Sequence, residues 1–296
     1  MTQTNAAAVT AAPRKKLPPK KLAARIAVYA VAAIFALILV FPYVFMLSKS
    51  LMSGTEAGSF PVRLFPQAPT IDAYIRVFSA EQPYLRYTWN SLKIILFNII
   101  AIPLSASLVA YGFAKTNFFG KKFLFALMLS TMLLPTMVLQ IPQFVLFTRL
   151  GWYDSIWPLT VPNLLGGGAA NIFLIRQFMR GIPNSLEDAA RIDGANAFTR
   201  YLMITLPLCK AVLIYMMVTV FNAYWSDFYG PLIYLDSSDK YTLAIGIFKD
   251  ASQNASIYDT PNLMAAGVFM TLFPAILFAV FQKQLIEGVN MAGIKG

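Results

Sequence analysis

The sequence predicts an all-α integral membrane protein with six transmembrane helices, and three observations carry that prediction. Hydrophobic residues make up 58% of the 296 residues and charged residues only 12%, whereas soluble domains carry about 25% charged residues. The charges avoid several long apolar blocks, and the basic residues collect in short segments between them. A formal net charge of +11 is therefore topological, as expected when Lys and Arg accumulate on the cytoplasmic side, and does not point to nucleic acid.

The first block, Ile26–Leu47, has no charged residue and is long enough as a helix to cross the roughly 30 Å hydrocarbon core. Arg14, Lys15, Lys16, Lys20, Lys21 and Arg25 precede it with no acid among them. A cleaved signal would have an apolar region of about 7–15 residues and a small-residue cleavage site. The expectation is an uncleaved first helix behind a disordered, alanine-rich cytoplasmic tail over 1–25.

The second span covers about Leu92–Ala114, and a basic turn with Lys115, Lys121 and Lys122 follows. The third runs about Phe123–Thr148, interrupted by Pro135 and Pro142. The fourth covers about Ile156–Leu174 and leads into Arg176 and Arg180; the fifth is about Cys209–Phe228 and the sixth about Asn262–Phe281. Six spans put both ends on one side. The membrane domain would occupy 26–282, with an external segment at 48–91, a cytoplasmic loop at 181–208 and a cytoplasmic tail at 283–296 that holds Lys283 and Lys295. External segment 229–261 is richer in acids, with Asp236, Asp239, Asp250 and Asp259 against Lys240 and Lys249, which agrees with that orientation. Trp152, Trp157, Tyr224, Trp225 and Tyr229 fall where an outer aromatic belt is expected. Neither a soluble domain nor an internal repeat is visible.

Several chemistries are excluded. The chain has no histidine and only one cysteine, Cys209, so a histidine base, a His–Cys zinc centre and an intramolecular disulfide are all ruled out. No Gly-x-x-x-x-Gly-Lys-Ser/Thr phosphate loop occurs, so the chain carries no P-loop ATPase. A catalytic metal or an enzymatic role is not expected.

The loop 181–208 reads GIPNSLEDAARIDGANAFTRYLMITLPL. Asn184 or Ser185 can cap a helix whose first turn holds Glu187 and Asp188, where negative charge is favourable. Ala189 and Ala190 favour helix, and Gly194 permits the left-handed turn that ends it. A second short helix would follow before Pro207. Such a helix–turn–helix is either a connector or a rigid protrusion that docks a partner.

Asp188-Ala189-Ala190, then three residues, Gly194, nine residues, Ile204, one residue, and Leu206-Pro207 resembles the EAA signature of ABC importer permeases, with Asp188 in place of its glutamate and Glu187 just before it. WNSLK at 89–93, NIFLIRQFM at 171–179, YWSDFYGPLIYL at 224–235 and the ending EGVNMAGIKG resemble the carbohydrate class, in particular the smaller permease subunit of maltose-type transporters. The resemblance implies a type I ABC importer permease fold and a role in sugar or polyol import in the cell membrane, the inner one where there are two. It implies a second homologous permease, two cytoplasmic ATPase subunits that use ATP and Mg, and an extracytoplasmic solute-binding protein; the chain itself would bind no cofactor. The ATPase-docking role is carried onto Glu187, Asp188, Ala189, Ala190 and Gly194. Motion would follow an alternating-access cycle.

Polar residues inside spans commonly face a bundle interior or a watery path. Asn98 and Ser105 share a face of the second span, Gln140 and Gln143 lie three apart in the third, and Asn222, Trp225 and Ser226 cluster in the fifth. These residues suit a neutral polyhydroxylated solute; interhelical hydrogen bonding, or packing for Trp225, is the competing reading. Asp227 would pair locally. Pro103, Pro135, Pro142 and Pro274 interrupt hydrogen-bond ladders, and Gly166-Gly167-Gly168 permits close backbone approach or a helix break. The alternative to the importer is a gradient-driven secondary transporter for a small polar solute, which usually shows repeated halves and buried ion-coupling residues. Neither is found.

Overall fold

The computed structural model describes residues 19–79, 83–253 and 259–293, and every regular element among them is helical. The alanine-rich tail over 1–18 and Lys295 lie outside the described residues. Among the described residues four helical stretches are long and apolar enough to cross a membrane, and two bent helix pairs bring the number to six if each pair is one span.

α1 (Pro19–Ser50) is the first span and extends beyond the uncharged block at both ends. Its apolar side chains are exposed along most of its length; its C-terminal part rests on α15 (Thr260–Gly293), where the Met46 sulfur would lie 2.8 Å from a Cβ at Gly267. Two short helices, α2 (Gly54–Ala57) and α3 (Asp72–Val77), follow in the loop. α4 (Tyr84–Lys115) starts a full two turns before the expected second span and is about 48 Å long. It is the central post of the molecule. Small residues (Ala101, Ala106, Ala110) let the helices Ala169–Arg180 and Lys210–Trp225 pack closely around one half, where Ile175, Met179 and Met216 are fully buried. Tyr84, Tyr87 and Ile95 join Trp225, Leu243, Ala265 and Ala266 in the core of the other half.

The third span is not one interrupted helix. α5 (Lys121–Ser130) and α6 (Thr136–Arg149) meet at 99°. Pro135 explains the bend: it disfavours helical geometry at the preceding residue, and Leu134 is extended at φ −77°, ψ 121°. Pro142 sits inside α6 without ending it. The fourth span breaks at the triglycine. α7 (Trp157–Thr160) and a 3-10 turn lead to Gly166, Gly167 and Gly168, all with positive φ, before α8 (Ala169–Arg180) resumes and runs well past Leu174.

After α8 come α9 (Asn184–Ile192), α10 (Ala197–Arg200), a π-helix over Tyr201–Thr205, α11 (Leu206–Leu208) and α12 (Lys210–Trp225). The segment Ala197–Leu208 meets α12 at 76°, so the fifth span is preceded by a sharp elbow and ends three residues earlier than expected. α13 (Tyr229–Tyr234) and α14 (Leu243–Gln253) complete the chain before α15.

Hydrogen bonds gather the connections at two poles. At one, Tyr84 donates to the carboxylate of Asp250, Asn90 donates to the carbonyls of Asp239 and Tyr241, and Lys240 pairs with Asp154 at 2.7 Å. At the other, Lys115 donates to the Ile182 carbonyl and Arg176 to that of Phe113. Segments 115–122 and 175–208 therefore share one pole, and 150–156 and 229–253 share the other. Of the expected aromatic belt, Trp157 and Tyr229 are exposed, but Trp225 is packed inside.

Candidate functional site

The helix–turn–helix forms, with one change at its start. α9 begins at Asn184 behind Pro183, and neither Asn184 nor Ser185 caps it. The Asn184 side chain instead accepts from Lys115 Nζ at 2.9 Å, because α4 ends beside it. The helix stops at Gly194, whose φ of +84° lies in the region that favours glycine. Asn196 caps α10 by accepting from the Thr199 N–H at 2.9 Å.

Glu187 turns inward, at 8% exposure. Its Oε1 accepts from Thr205 Oγ1 at 2.5 Å, and its Oε2 from Tyr111 Oη at 2.9 Å and Arg200 Nε at 3.1 Å. Arg200 is pinned in turn by a 2.8 Å bond from Nη1 to the Ala195 carbonyl. One carboxylate thus ties α9 to the central post, to α10 and to the π-helix. Charge-assisted bonds to three donors satisfy a group that burial would otherwise penalise. Asp188, Ala189 and Gly194 are exposed, Ala190 is half-buried, and Ile192 is 87% exposed. The helix holds on by one residue and presents the next outward.

Sequence reasoning missed the receiving side of this contact. Ser107, Tyr111 and Lys115 lie four residues apart on one stripe of α4. Ser107 bonds the Tyr201 hydroxyl at 2.8 Å, Tyr111 bonds Glu187, and Lys115 donates to the Ile182 carbonyl at 2.6 Å. A hydroxyl, a phenol and an amine at that spacing, in an otherwise apolar run, was the available signal.

The residues named for a solute path divide. Asn98 is fully buried, donates to the Leu159 carbonyl at 2.9 Å and accepts from Asn163 Nδ2 at 2.8 Å. Asn163 Nδ2 also lies 2.6 Å from the Tyr224 hydroxyl, and Ser105 donates to the Asn163 carbonyl at 3.0 Å. Asn98 and Ser105 thus hold the broken part of the fourth span, where Gly167 passes so close to Ile102 that a Cβ would meet its backbone oxygen at 3.0 Å. Trp225 is 2% exposed, stacks on Phe221 and donates to the Met270 carbonyl at 2.8 Å. Asn222 donates to the Val218 carbonyl, and exposed Ser226 to that of Asn222. Asp227 accepts from the Gly230 N–H at 3.2 Å, a local pairing. Gln140 is half-buried and Gln143 exposed on α6. No group of three or more potential metal ligands occurs among the described residues.

Known proteins match this arrangement along nearly the whole chain. The chain is 32% identical over 267 residues to the arabinooligosaccharides transport system permease protein AraQ of Halalkalibacterium halodurans, covering 89% of this chain and 94% of that one. It is 28% identical to the inner membrane ABC transporter permease protein YcjP of Escherichia coli, covering 94% and 99%. Among solved structures, a bacterial ABC transporter involved in import of the acidic polysaccharide alginate superposes with a TM-score of 0.78 at 23% identity, covering 90% of this chain and 98% of that one, so the fold is that of a type I ABC importer permease. Residues 101–290 match the family described as binding-protein-dependent transport system inner membrane component. On that match and the similarity to AraQ, the chain belongs to the binding-protein-dependent ABC transport permeases.

Proposed function

We propose that this permease is one half of the translocation path of an ATP-driven oligosaccharide importer, and that α9 transmits ATPase motion to it. The observation that carries the reading is the Glu187 contact. A helix that exposes Asp188, Ala189 and Ile192 while its buried carboxylate grips α4, α10 and the π-helix can convert a push on its outer face into movement of the spans. Mobile connections would dissipate that push.

In this reading two ATPase subunits, which bind ATP and Mg, receive the exposed side of α9 and the turn at Gly194. The pole with α9 is cytoplasmic because the basic segments 115–122 and 175–180 lie there. The other pole, built from α2, α3, α13 and α14, meets the loaded binding protein. A second, homologous permease closes the path. The oligosaccharide class rests on relatives named for arabinooligosaccharides and galactooligosaccharides. Asn98, Ser105 and Trp225 act as structural supports of the path, and solute contacts fall to less committed groups such as Gln140, Gln143 and Ser226.

The test is co-purification of the full chain with its associated subunits, followed by ATP hydrolysis in lipid across a panel of oligosaccharides with binding protein present. Stimulation by one oligosaccharide supports the reading. Assembly without an ATPase, or uptake driven by an ion gradient alone, refutes it.

A further inference from the structure

A group of cations with no ion-pair partner among the described residues lies where α5 begins and α8 ends. Arg176 and Arg180 are one turn apart near the end of α8, and Lys121 opens α5 behind Gly120. Arg176 is fixed from two sides. Its Nε donates to the Phe113 carbonyl at 3.2 Å, and its guanidinium lies 3.9 Å from the centroid of the Phe125 ring. Both contacts use the inner edge and the face of the guanidinium, and its terminal nitrogens have no protein acceptor among the described residues. Lys121 donates a single bond, to the Thr116 carbonyl at 2.7 Å.

Arg176 and Arg180 are like-charge neighbours of Lys121, and Arg180 of Arg176. All are positive. The ion pairs among the described residues involve none of the three, and Glu187, the buried acid of the neighbouring helix, is committed to Arg200. The cluster sits at the ends of two apolar segments, one long enough to cross a membrane and the other the first half of a bent pair that is so together, and this position suits the boundary of water and hydrocarbon. Beside it the Phe125 ring continues into Phe113, Phe118 and Phe173, of which Phe118 and Phe173 are exposed, as is Leu124 on the adjoining face of α5. A rigid guanidinium fork suits phosphate, and an apolar strip beside it suits acyl chains. An acidic protein would answer the charge but leave that strip to be covered separately.

We propose that Lys121, Arg176 and Arg180 form a headgroup site for an anionic phospholipid, with its phosphate on the guanidinium fork and its acyl chains along the exposed Phe118, Phe173 and Leu124.

The experiment offers the full chain, purified with its associated subunits, phosphatidylglycerol and phosphatidylcholine of identical acyl chains, and counts retained lipid by native mass spectrometry. The wild type is expected to retain phosphatidylglycerol preferentially. Arg176→Gln with Arg180→Gln should weaken that retention by about thirtyfold, and Lys121→Gln alone by about fivefold. The single variant keeps the test open if the double one fails to assemble. Arg149→Gln, exposed at the end of α6, should leave the preference intact. Equal retention of the two lipids, or a preference unchanged in both cluster variants, overturns the site. So does displacement of the lipid by equimolar inorganic phosphate, which would make the ligand a free anion. A preference seen only after the associated ATPase is stripped away would assign the cations to that protein instead.

Discussion

Glu187 and Arg200 lie thirteen residues apart and meet at 3.1 Å, with the carboxylate also holding Tyr111 and Thr205. Because the carboxylate accepts from three elements at once, its removal should disconnect α9 without dissolving the helix itself. Glu187→Ala is expected to lower solute-stimulated ATP hydrolysis about tenfold, with the subunits still co-purifying. Glu187→Gln keeps an acceptor and should retain part of the stimulation. Comparing the stimulated and basal rates of both variants checks this.

Tyr111→Phe removes one hydroxyl and leaves the ring contact with Tyr201, 5.4 Å away. A hydrogen bond to a carboxylate contributes about 1.5–3 kcal/mol, and a loss near the low end is expected because Glu187 keeps its other two donors. A thermal-unfolding shift of the purified complex measures it.

The amide bridge between Asn98 and Asn163 predicts a split between stability and solute selection. Asn98→Ala takes one partner from Asn163, which keeps the Tyr224 hydroxyl, and leaves the Leu159 carbonyl only a 3.3 Å bond from Asn163, at about 1–3 kcal/mol. The concentration of solute that gives half-maximal uptake should stay unchanged. A shift in that concentration with unaltered melting would instead place Asn98 on the path.

Gly167 should tolerate alanine far less than Gly151, although both have positive φ. At Gly151 a Cβ meets nothing within 4 Å, while at Gly167 it meets the Ile102 side chain at 2.8 Å. Gly151→Ala carries only backbone strain of about 1–2 kcal/mol; Gly167→Ala adds overpacking of about 1–3 kcal/mol. Expression and melting of the two variants decide it.

At the opposite pole Asp154, at φ +53°, accepts from Lys240 Nζ, from the Ser237 hydroxyl and from the backbone N–H groups of Asp236 and Ser237. Those donors, the Lys240 bond foremost, hold its carboxyl below the usual carboxylate range. A depressed acid contributes fully above its unfolded value, near 4, and the contribution fades as pH falls through the folded value. Asp154→Asn, which tolerates the same backbone, should therefore lower the melting temperature by a constant amount from pH 5 to 8. The difference from wild type should shrink below about pH 4, as thermal unfolding across that range would show.

How much of this was legible in the sequence follows from what each feature depends on. The first, second and sixth spans could be found because length and apolarity are local properties, and so could the α9 turn, since Gly194 is written into its spacing. The bend at Pro135 was visible as a proline, but Pro142 looked the same and produced none; the difference lies in whether neighbouring turns continue the helix. Trp225 and Asn98 were grouped with a solute path because polarity within a span does not reveal its partner. Their partners, Met270, Leu159 and Asn163, lie 45 to 65 residues away. For Glu187 the sequence left open whether it or Asp188 faces a partner, because side-chain direction is settled by Tyr111, on another helix, and by Arg200 and Thr205, at positions whose residue type the motif does not specify.

The most direct measurement is uptake of a labelled oligosaccharide into proteoliposomes that hold the assembled transporter, with ATP supplied on the side of α9. The wild type should take up solute only with ATP, and Glu187→Ala combined with Asp188→Ala should abolish uptake while the complex remains assembled. Uptake that persists in the double variant, or that proceeds without ATP, would contradict transmission through α9.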